Sequence, residues 1–429
     1  MYSLDYSLNK ATKLAIETKS IIEGIYRPSL YNDEPKIYGY VVNYKKGVST
    51  SEEIAAGFSF DKKTALMRAL GEGIERYCLE NYKPNITFVE AIKSSRKQYK
   101  LDPRVLSPFS KEQLKKKSFK QFTIQDSSQF SWSNAFSLTN NKQIVIPTQL
   151  ISFTYKSIKN EPLIMLPIST GSAAGLSLDN ALYRGICEII ERDAFMISYL
   201  NMLSSPKIDP HDFELQDILQ IYEKYHLELV LLDMTTDLEV PVIAAITIDK
   251  TGLGPSVNVG LKAGFDILEV VRGAIEESIM SRSWLRDKFV YETPDYTRKG
   301  DIVTTQERAH FWFSVNMLKN LDFWFKNNKY RKIDKKKFAV GKTIKLQKIL
   351  SILKNKQMEV IYADITGEKI KSYGFCVVKV IIPQLQPLYL DERYQYLGGK
   401  RLYNAPIDMG MLKRGKKTVK LNSIPHPFL

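Results

Sequence analysis

The stretch GFSFDKKTALMRALGEGIERYC, from Gly57 to Cys78, decides the fold class because it recurs twice more in the chain. The second copy is GLSLDNALYRGICEIIERD, residues 175–193, and a weaker third copy is GFDILEVVRGAIEESIMSR, residues 264–282. Each copy opens with glycine and a hydrophobic residue, then continues as a helical pattern with a small residue midway. Copies this far apart do not build a solenoid, so we interpret them as duplicated βα units within one globular fold.

The first two copies end in the pattern Glu-x-x-Glu-Arg, and this spacing indicates chemistry. Residues three apart lie on the same face of a helix, so each copy presents a pair of carboxylates. Two carboxylates on one face repel each other unless a cation or a proton lies between them. A single pair of this kind is usually the solvated edge of an amphipathic helix, but the recurrence of the whole element favours a ligand site. Facing pairs with a nearby arginine suit Mg²⁺ that bridges a polyphosphate. The residues are Glu72, Glu75 and Arg76 in the first copy, and Glu188, Glu191 and Arg192 in the second.

The composition excludes several classes of protein. The hydrophobic fraction of 44% and the charged fraction of 25% are typical of a globular protein in water. No apolar run is long enough to cross a bilayer, and the start of the chain lacks the order of a secretory signal. We therefore predict a cytoplasmic protein without a membrane partner. Its three cysteines are too few and too scattered for a disulfide framework or a zinc site, and we expect Cys78 and Cys187 to pack in the core.

The formal net charge of +15 raises the question of a polyanionic partner. Basic clusters occur at residues 115–117, 335–337 and 413–417. These clusters lack the interleaved aromatic residues and the motifs that mark a nucleic-acid reader. We interpret them as a lysine-rich solvated surface and predict no nucleic-acid partner.

Strand and helix patterns alternate along the chain. An amphipathic helix is predicted within residues 1–30, and a further helix over residues 305–325. Predicted strands include residues 37–44, 143–153, 162–170, 227–235, 240–249, 358–366 and 375–383. The alternation predicts an α/β fold in which helices cover a sheet. No Gly/Ser linker divides the chain, so we predict one domain over residues 1–429, with a peripheral insert around 83–135 and a proline-rich tail at 421–429.

These residues add up to a family resemblance. The three repeat segments, read as residues 57–78, 169–195 and 265–283, resemble the three nucleotide-binding segments of the YcaO superfamily, in that order. VVKVIIPQLQPLYL (377–390) and GGKRLYNAP (398–406) resemble the C-terminal region of the streptolysin-type D proteins, and PHPFL (425–429) is similar to their proline-rich tail. The resemblance covers the chain from about residue 50 onward. It implies a YcaO-type fold with repeated βα units around a site for ATP and Mg²⁺.

The resemblance also implies a reaction. Enzymes of this branch use ATP to convert Cys, Ser or Thr of a ribosomally made precursor peptide to thiazoline or oxazoline. The side chain attacks the preceding carbonyl, ATP phosphorylates the amide oxygen, and phosphate leaves as the ring forms. The chain has no separate amino-terminal region that resembles the leader-peptide-binding partner of the ubiquitin-activating type, so we expect that partner as a second polypeptide. A flavin-dependent azoline dehydrogenase is a further candidate partner.

The resemblance assigns roles to individual residues. It implies that Mg²⁺ is held against the phosphates by the four glutamates of the two pairs. The tail is expected to reach toward the active site, where the Leu429 carboxylate or His426 would move protons; the alternative is a frayed terminus. The implied metal ligands are Glu72, Glu75, Glu188 and Glu191, the nucleotide contacts are Ser169, Arg192, Glu277 and Arg282, and the catalytic tail residues are Pro425, His426, Pro427 and Leu429.

The chain departs from the family pattern at four positions. Met280 replaces the amide of the third segment, Leu176 and Asn180 replace an asparagine and an acid of the second, and Leu429 stands where the branch commonly ends in proline. Neither Met280 nor Leu176 can replace the hydrogen bonds of an amide. Two alternatives therefore stay open: a thioamide- or amidine-forming YcaO enzyme, and an inactive scaffold with the same fold. The intact set of four glutamates favours an active ATP-binding enzyme.

Overall fold

A computed structural model describes residues 2–45, 53–93, 99–291, 302–335, 338, 341, 344–413 and 420–429. Its helices are α1 (Leu4–Glu17), α2 (Lys62–Asn81), α3 (Lys111–Leu114), α4 (Leu178–Leu200), α5 (Gln216–Lys224), α6 (Ile267–Met280), α7 (Arg282–Tyr291), α8 (Thr305–Phe311), α9 (Asp322–Phe325), α10 (Lys345–Asn355), α11 (Glu368–Ser372) and α12 (Lys400–Asp408). Its strands are β1 (Ile22–Tyr26), β2 (Tyr38–Tyr44), β3 (Glu53–Ser59), β4 (Ile86–Ala91), β5 (Gln129–Ser137), β6 (Lys142–Pro147), β7 (Ser172–Gly175), β8 (Lys207–Ile208), β9 (Leu227–Asp233), β10 (Val242–Asp249), β11 (Val257–Ala263), β12 (Ile361–Asp364) and β13 (Cys376–Ile381).

The strands form three sheets in which every described pairing between named strands is antiparallel. One sheet has the order β1-β2-β3, and a second has the order β11-β10-β9-β8. The third has the order β4-β5-β12-β13-β7, with β6 paired to β5. The predicted combination of sheets and covering helices is confirmed.

The three repeats are three strand–helix units: β3 with α2, β7 with α4, and β11 with α6. Each helix begins in the same way, because the side chain of its N-cap residue accepts a hydrogen bond from a backbone N–H of the first turn. The N-cap residues are Asp61, Ser177 and Asp266.

Two glycines explain how closely strand and helix approach each other. A Cβ atom at Gly57 would collide with the backbone of Ala65 and Ala69 in α2, and one at Gly260 would collide with the backbone of α6. Glycine is therefore required where the strand crosses the small-residue stripe of the helix. In the third unit the contact is made by Gly260 of β11, not by the Gly264 with which the third copy opens in the sequence.

Helix α4 runs through the largest hydrophobic cluster of the described chain. Its residues Phe195, Met196 and Tyr199 are fully buried, as are both faces of β10. Cys78 and Cys187 are buried free thiols, which confirms their predicted packing role. In the described residues no helix is long and apolar enough to cross a membrane.

Four of the predicted elements differ from the structure. The strand predicted over 143–153 ends at Pro147, where a 3₁₀ turn begins. Helix α1 ends at Glu17, and the following residues form β1 because the edge of β2 offers them a hydrogen-bonding partner. Residues 162–170 are irregular; Pro162 and Pro167 interrupt the segment, and neither can donate to a sheet. The helix predicted over 305–325 is broken at Ser314, whose side chain caps a short 3₁₀ turn between α8 and α9.

The stretch 83–135 is not peripheral, contrary to the prediction. It contains β4 and most of β5, which belong to the largest sheet. Phe130 and Trp132 of β5 are fully buried in the core. Local polarity and two prolines concealed this role, because β4 finds its partner β5 only after residue 128 and β5 also pairs with the distant β12. Residues 94–98 lie outside the described part.

The basic cluster 115–117 is exposed, as predicted. The clusters at 335–337 and 413–417 fall largely on residues 336–337 and 414–417, which lie outside the described residues.

Candidate nucleotide and metal site

The carboxylate pairs of α2 and α4 form one electrostatic cluster. Burial, together with the charges of Glu188 and Glu72, raises the pKa of Glu75 to about 8. Burial also raises the pKa of Glu72, although the adjacent Arg76 acts in the opposite direction. Because Glu188 of α4 raises the pKa of both glutamates of α2, this cluster favours a bound cation or a proton. Glu188 therefore lies within electrostatic range of Glu72 and Glu75, and the joint role of the two pairs stays a prediction.

Three glutamates occupy the same position relative to the N-cap residues of their helices, and each is held in the same way. The backbone N–H of Ala56 donates to Glu72 at 3.3 Å. The Gly171 N–H donates to Glu188 at 3.0 Å, and the Leu261 N–H donates to Glu277 at 2.7 Å. One carboxylate oxygen is thus fixed by the backbone in every unit, and Glu277 of the third unit acts electrostatically on Glu191.

Glu191 connects the second unit to the third. Its side chain is only 5% exposed, and it accepts a hydrogen bond from the Ala263 N–H at 3.0 Å. Burial raises its pKa to about 7, although the positive charges of Lys262 and Arg192 act in the opposite direction. Glu277 contributes to the increase. A carboxyl group that titrates near neutral pH in this way is a candidate functional residue.

Arg192 lies between the carboxylates and the tail. Its Nη1 is 3.2 Å from Glu191, and its Nη2 is 3.7 Å from Glu188. The guanidinium also lies over the ring of Phe428, 4.1 Å from the ring centroid. Its buried Nε has no hydrogen-bond partner among the described residues. A planar cation with an unused donor suits a phosphate oxygen.

The donor set fits Mg²⁺ held jointly with phosphate. Among the described residues no three carboxylate, thiol or imidazole groups converge as the ligand set of one bare ion. Mg²⁺ ordinarily takes only one or two carboxylates from a protein and completes its shell with phosphate oxygens and water. Glu72, Glu75, Glu188 and Glu191 provide separated carboxylates of this kind. Burial raises the pKa of Glu75 and Glu191, and a bound cation would favour their ionised forms.

Lys379 belongs to the site but was not predicted. Its side chain is buried in β13, and its Nζ donates to the carbonyls of Ile168 at 2.7 Å and Thr170 at 2.8 Å. Burial lowers its pKa to about 8, while the charges of Glu188 and Glu75 act in the opposite direction. Lys379 therefore fixes the loop whose Gly171 orients Glu188. The signal in the sequence was a lysine in the middle of the apolar run FCVVKVIIP.

The other predicted nucleotide contacts differ in their position. Ser169 lies in the loop held by Lys379, so it is beside the carboxylate cluster. Arg282 instead belongs to a buried ionic group, with Nε 2.7 Å from Glu34 and Nη2 2.5 Å from Asp249. In the described part of the chain no ion pair joins Arg282 to the four-glutamate cluster.

The tail is buried, so the frayed terminus is excluded. The Pro425 carbonyl accepts hydrogen bonds from Trp312 Nε1 at 2.9 Å and from the Tyr199 hydroxyl at 3.0 Å. His426 is fully buried, and its Nε2 lies 2.7 Å from the Tyr389 carbonyl, to which it must donate. Burial and the nearby Arg308 hold the pKa of His426 well below its usual range. The imidazole is therefore neutral and structural, while the tail as a whole reaches the site through Phe428.

The geometry agrees with a match to a known family. The model of the YcaO family, described as a cyclodehydratase that binds ATP and Mg²⁺, matches residues 56–386. The chain belongs to the YcaO family. All three repeat segments lie within the matched region.

Relatives of this YcaO protein are distant in sequence. An uncharacterised protein of Methanothermobacter thermautotrophicus is 24% identical over 345 residues, which are 79% of this chain and 83% of that protein. A solved heterocyclase in complex with substrate and cofactor superimposes with a TM-score of 0.82 at 20% identity. The match covers all of this chain but only 57% of the heterocyclase, so the chain spans little more than half the length of that protein.

Two further YcaO-fold structures are similar. YcaO from Methanopyrus kandleri, bound with AMPPCP and Mg²⁺, has a TM-score of 0.63 at 17% identity and covers 90% of this chain and 91% of its own. The E. coli microcin synthetase McbBCD complex with pro-MccB17 has a TM-score of 0.59 at 15% identity, covering 84% of this chain and 88% of its own. At these identities the likeness establishes the heterocyclase fold.

Proposed function

We propose that this YcaO protein is the ATP-dependent cyclodehydratase subunit of a peptide-modifying system. It would convert Cys, Ser or Thr of a ribosomally made precursor peptide to thiazoline or oxazoline. The observation that carries the proposal is the electrostatic interaction of Glu188 in α4 with the carboxylate pair of α2, together with an arginine beside each pair. This arrangement provides what ATP-Mg²⁺ requires, and the family model supports the same cofactors.

The chemical obstacle in ring formation is a poor leaving group. The amide oxygen leaves readily once it carries a phosphoryl group, so the protein must position ATP and neutralise charge as it is transferred. Glu72, Glu75, Glu188 and Glu191 would hold Mg²⁺, which supplies positive charge to the phosphates. Arg192 would contact a phosphate through its unused donors, while Ser169 and Glu277 border the same cluster.

The tail is proposed to assist proton transfer, and its geometry favours one of the two candidates. His426 is neutral and its Nε2 is committed to the Tyr389 carbonyl. Leu429 is partly exposed and follows Phe428, which stacks on Arg192. We therefore assign the proton-accepting role to the Leu429 carboxylate. Pro425 and Pro427 would fix the extended course of the chain that brings it there.

The proposed partners follow from the same reaction. The substrate is a precursor peptide, presented by a leader-peptide-binding protein of the ubiquitin-activating type, and a flavin-dependent azoline dehydrogenase would oxidise the rings. The McbBCD complex with pro-MccB17 and the heterocyclase bound with substrate support a peptide substrate and an assembly. The proposed location is the cytoplasm, where precursor peptide and ATP are available.

One observation favours a second candidate, a scaffold that has lost turnover. Met280 occupies the position, relative to the helix N-cap, that Glu75 and Glu191 occupy in the other units. The third unit therefore lacks one polar ligand. A scaffold would bind peptide and partner without releasing phosphate.

The test is a reconstitution of the chain with its partner and precursor peptide, ATP and Mg²⁺. We expect phosphate release and a loss of one water from the peptide mass for every ring formed. Glu75→Gln is the matched control and should abolish both signals. Bound peptide without phosphate release would establish the scaffold, and a mass change from exchange of oxygen for sulfur would establish thioamide formation.

A further inference from the structure

A cavity of about 580 Å³ opens beside the carboxylate cluster. One end is formed by Thr170, Ile189, Arg192 and Lys379, the residues that surround the glutamates. The rest of the wall comes from segments 104–108, 149–153, 165–168, 380–387 and 398–401. A volume of this size is typical of ligand sites, and here it adjoins the reacting centre.

The wall has a distinctive charge pattern. Its charged side chains are all cationic, and none of the described residues that line it is Asp or Glu. Arg104 and Arg401 already pair with carboxylates behind the wall, so the surface is apolar with a weak positive character. Burial of a second cation there would be costly. The cavity therefore suits an apolar, uncharged occupant and excludes lysine and arginine side chains.

The wall also holds hydrogen-bonding atoms without partners. Gln386 is 1% exposed, and its Nε2 donates to the Tyr396 carbonyl at 2.8 Å. Its buried Oε1 accepts no hydrogen bond from the described residues, and neither do the hydroxyls of Ser107 and Ser152. A Cβ at Gly399 would collide with this Oε1, so glycine preserves the space around it. A buried acceptor left unpaired is costly, and a ligand N–H would satisfy it.

We propose that this cavity binds the apolar residues that precede the cyclised residue of the peptide, with Gln386 Oε1 accepting a backbone N–H of that segment. An extended peptide supplies N–H donors at regular intervals, together with side chains for the apolar wall. The end formed by Arg192 and Lys379 then receives the amide carbonyl that is to be phosphorylated. The proposal rests on the proposed function, because it takes a peptide as the substrate, and it adds a sequence preference against basic residues.

Photo-crosslinking tests the proposal without requiring turnover. The probe is the blocked hexapeptide acetyl-Gly-photoleucine-Leu-Cys-Gly-Ser-amide, irradiated with the full chain in ATP and Mg²⁺. Mass spectrometry should locate the crosslinks in segments 104–108, 149–153, 165–168 and 380–387. A matched peptide with lysine in place of leucine should compete about ten-fold less well, because its charge would be buried.

Variants of the wall make the test specific. Ser107→Phe should fill part of the cavity and reduce crosslinking about ten-fold, because the side chain has no hydrogen bond to lose and the ring occupies ligand space. Val105→Trp is a second filling variant, and Leu253→Phe at an exposed position is the matched control. Melting temperatures and ATP binding should be unchanged in the variants used.

The outcomes separate this proposal from the proposed function. Crosslinks elsewhere, absence of crosslinks above the unirradiated sample, or equal competition by the lysine peptide would overturn the cavity assignment. Crosslinks in the cavity without loss of water from a reconstituted peptide would retain the cavity as a peptide site and reject cyclodehydration. Ring formation with crosslinks elsewhere would support cyclodehydration and reject the cavity as the peptide site.

Discussion

The first two repeat helices and the third begin alike and end differently. In α2 and α4 the arginine that follows the carboxylate pair stays with its own helix: Arg76 is near Glu72, and Arg192 is near Glu188 and Glu191. In α6 the corresponding pair is incomplete, and Ser281 stands at the position of these arginines. The next residue, Arg282 of α7, forms ion pairs with Glu34 and Asp249. One duplicated unit has therefore kept its N-terminal architecture while its C-terminal turn has taken a different role.

Helix α6 of the third unit makes direct contacts with the first unit. Glu276 accepts hydrogen bonds from the Ser59 hydroxyl at 2.7 Å, from the Phe60 N–H at 3.0 Å and from Arg68 at 2.6 Å, all in the first unit. It is only 2% exposed. Charged residues near the same helix end thus bind a ligand in two units, on our proposal, and join the fold in the third.

The largest expected effect on stability comes from substituting Arg282, and the matching substitution of Arg192 tests whether the two arginines differ in role. Arg282→Met leaves Glu34 and Asp249 buried, and removing one partner of a buried ion pair costs about 3–5 kcal/mol. Arg192→Lys keeps a positive charge beside Glu191 but loses the planar fork, so we expect weaker ATP binding with a change of unfolding free energy within about 1 kcal/mol. Urea denaturation and nucleotide titration measure the two quantities. Equal loss of stability in both variants would show that the arginines have the same role.

The next effect concerns the carboxylates. Glu75→Gln and Glu191→Gln preserve shape and remove one anionic ligand each, so cyclisation should fall at least about 100-fold, which corresponds to about 2.7 kcal/mol. The melting temperature should stay the same or rise because repulsion is relieved. Glu276→Gln is the contrasting variant of the third unit and should lower the melting temperature. Wild-type activity in both site variants would refute the metal assignment.

A smaller effect is a pH dependence of stability in the metal-free protein. The folded-state pKa values of Glu75 and Glu191 are raised to about 8 and about 7, so near neutral pH the folded state binds more protons than the unfolded state. Their contribution is present at low pH and is lost as pH rises through these values. Between pH 6.5 and 8 we therefore expect the unfolding free energy to decrease.

The window from pH 6.5 to 8 avoids most of the titration of two groups that change the unfolding free energy in the opposite direction. The lowered pKa of His426 destabilises the fold only below about pH 6.5. The lowered pKa of Lys379 destabilises the fold below about pH 10.5, and this penalty is relieved mainly as the pH rises above about 8. Urea titrations at half-unit intervals should show a shallower slope for Glu75→Gln, and ATP with Mg²⁺ should flatten the wild-type slope. A wild-type slope of the opposite sign would contradict the proposed proton uptake.

The smallest expected effect comes from restoring a polar side chain at residue 280 of the third unit. Met280→Gln should tighten ATP binding by about 1 kcal/mol, the net value of one hydrogen bond, without changing stability. Met280→Leu is the control, since it has similar volume and no amide. Calorimetric titration of ATP with Mg²⁺ would show the difference. Weaker binding by the glutamine variant would mean that Met280 packs for a local reason.

Features that depend on short-range chemistry could be predicted from the sequence. The helices begin at capping residues that the repeats display, and the i, i+3 spacing places Glu72 with Glu75 and Glu188 with Glu191 whatever the rest of the chain does. The recurrence of the whole element indicates that the two pairs serve one site, and Glu188 does act electrostatically on Glu72 and Glu75. The buried thiols Cys78 and Cys187 follow from the same helical pattern.

Features that depend on distant partners could not be predicted from the sequence. The strand at 22–26 and the two strands within 83–135 exist because other strands pair with them, and their own patterns are weak. The same reason applies to Arg282, whose partner Glu34 is far away in sequence. The role of Lys379 could not be predicted, because it depends on carbonyl partners that the sequence does not identify.

The order of the largest sheet has a consequence for the life of the nascent chain. Strand β5 pairs with β12, and β13 then joins β12 to β7, so the sheet combines residues 129–137 with residues 361–381. Contacts of such long range form slowly because a large loop must close first. Until β12 has been synthesised, Phe130 and Trp132 lie in an incomplete core, and Phe136 and Ser137 lack the strand that pairs with them. We expect synthesis to depend on chaperones, and chains that stop before residue 361 to aggregate rather than accumulate in soluble form.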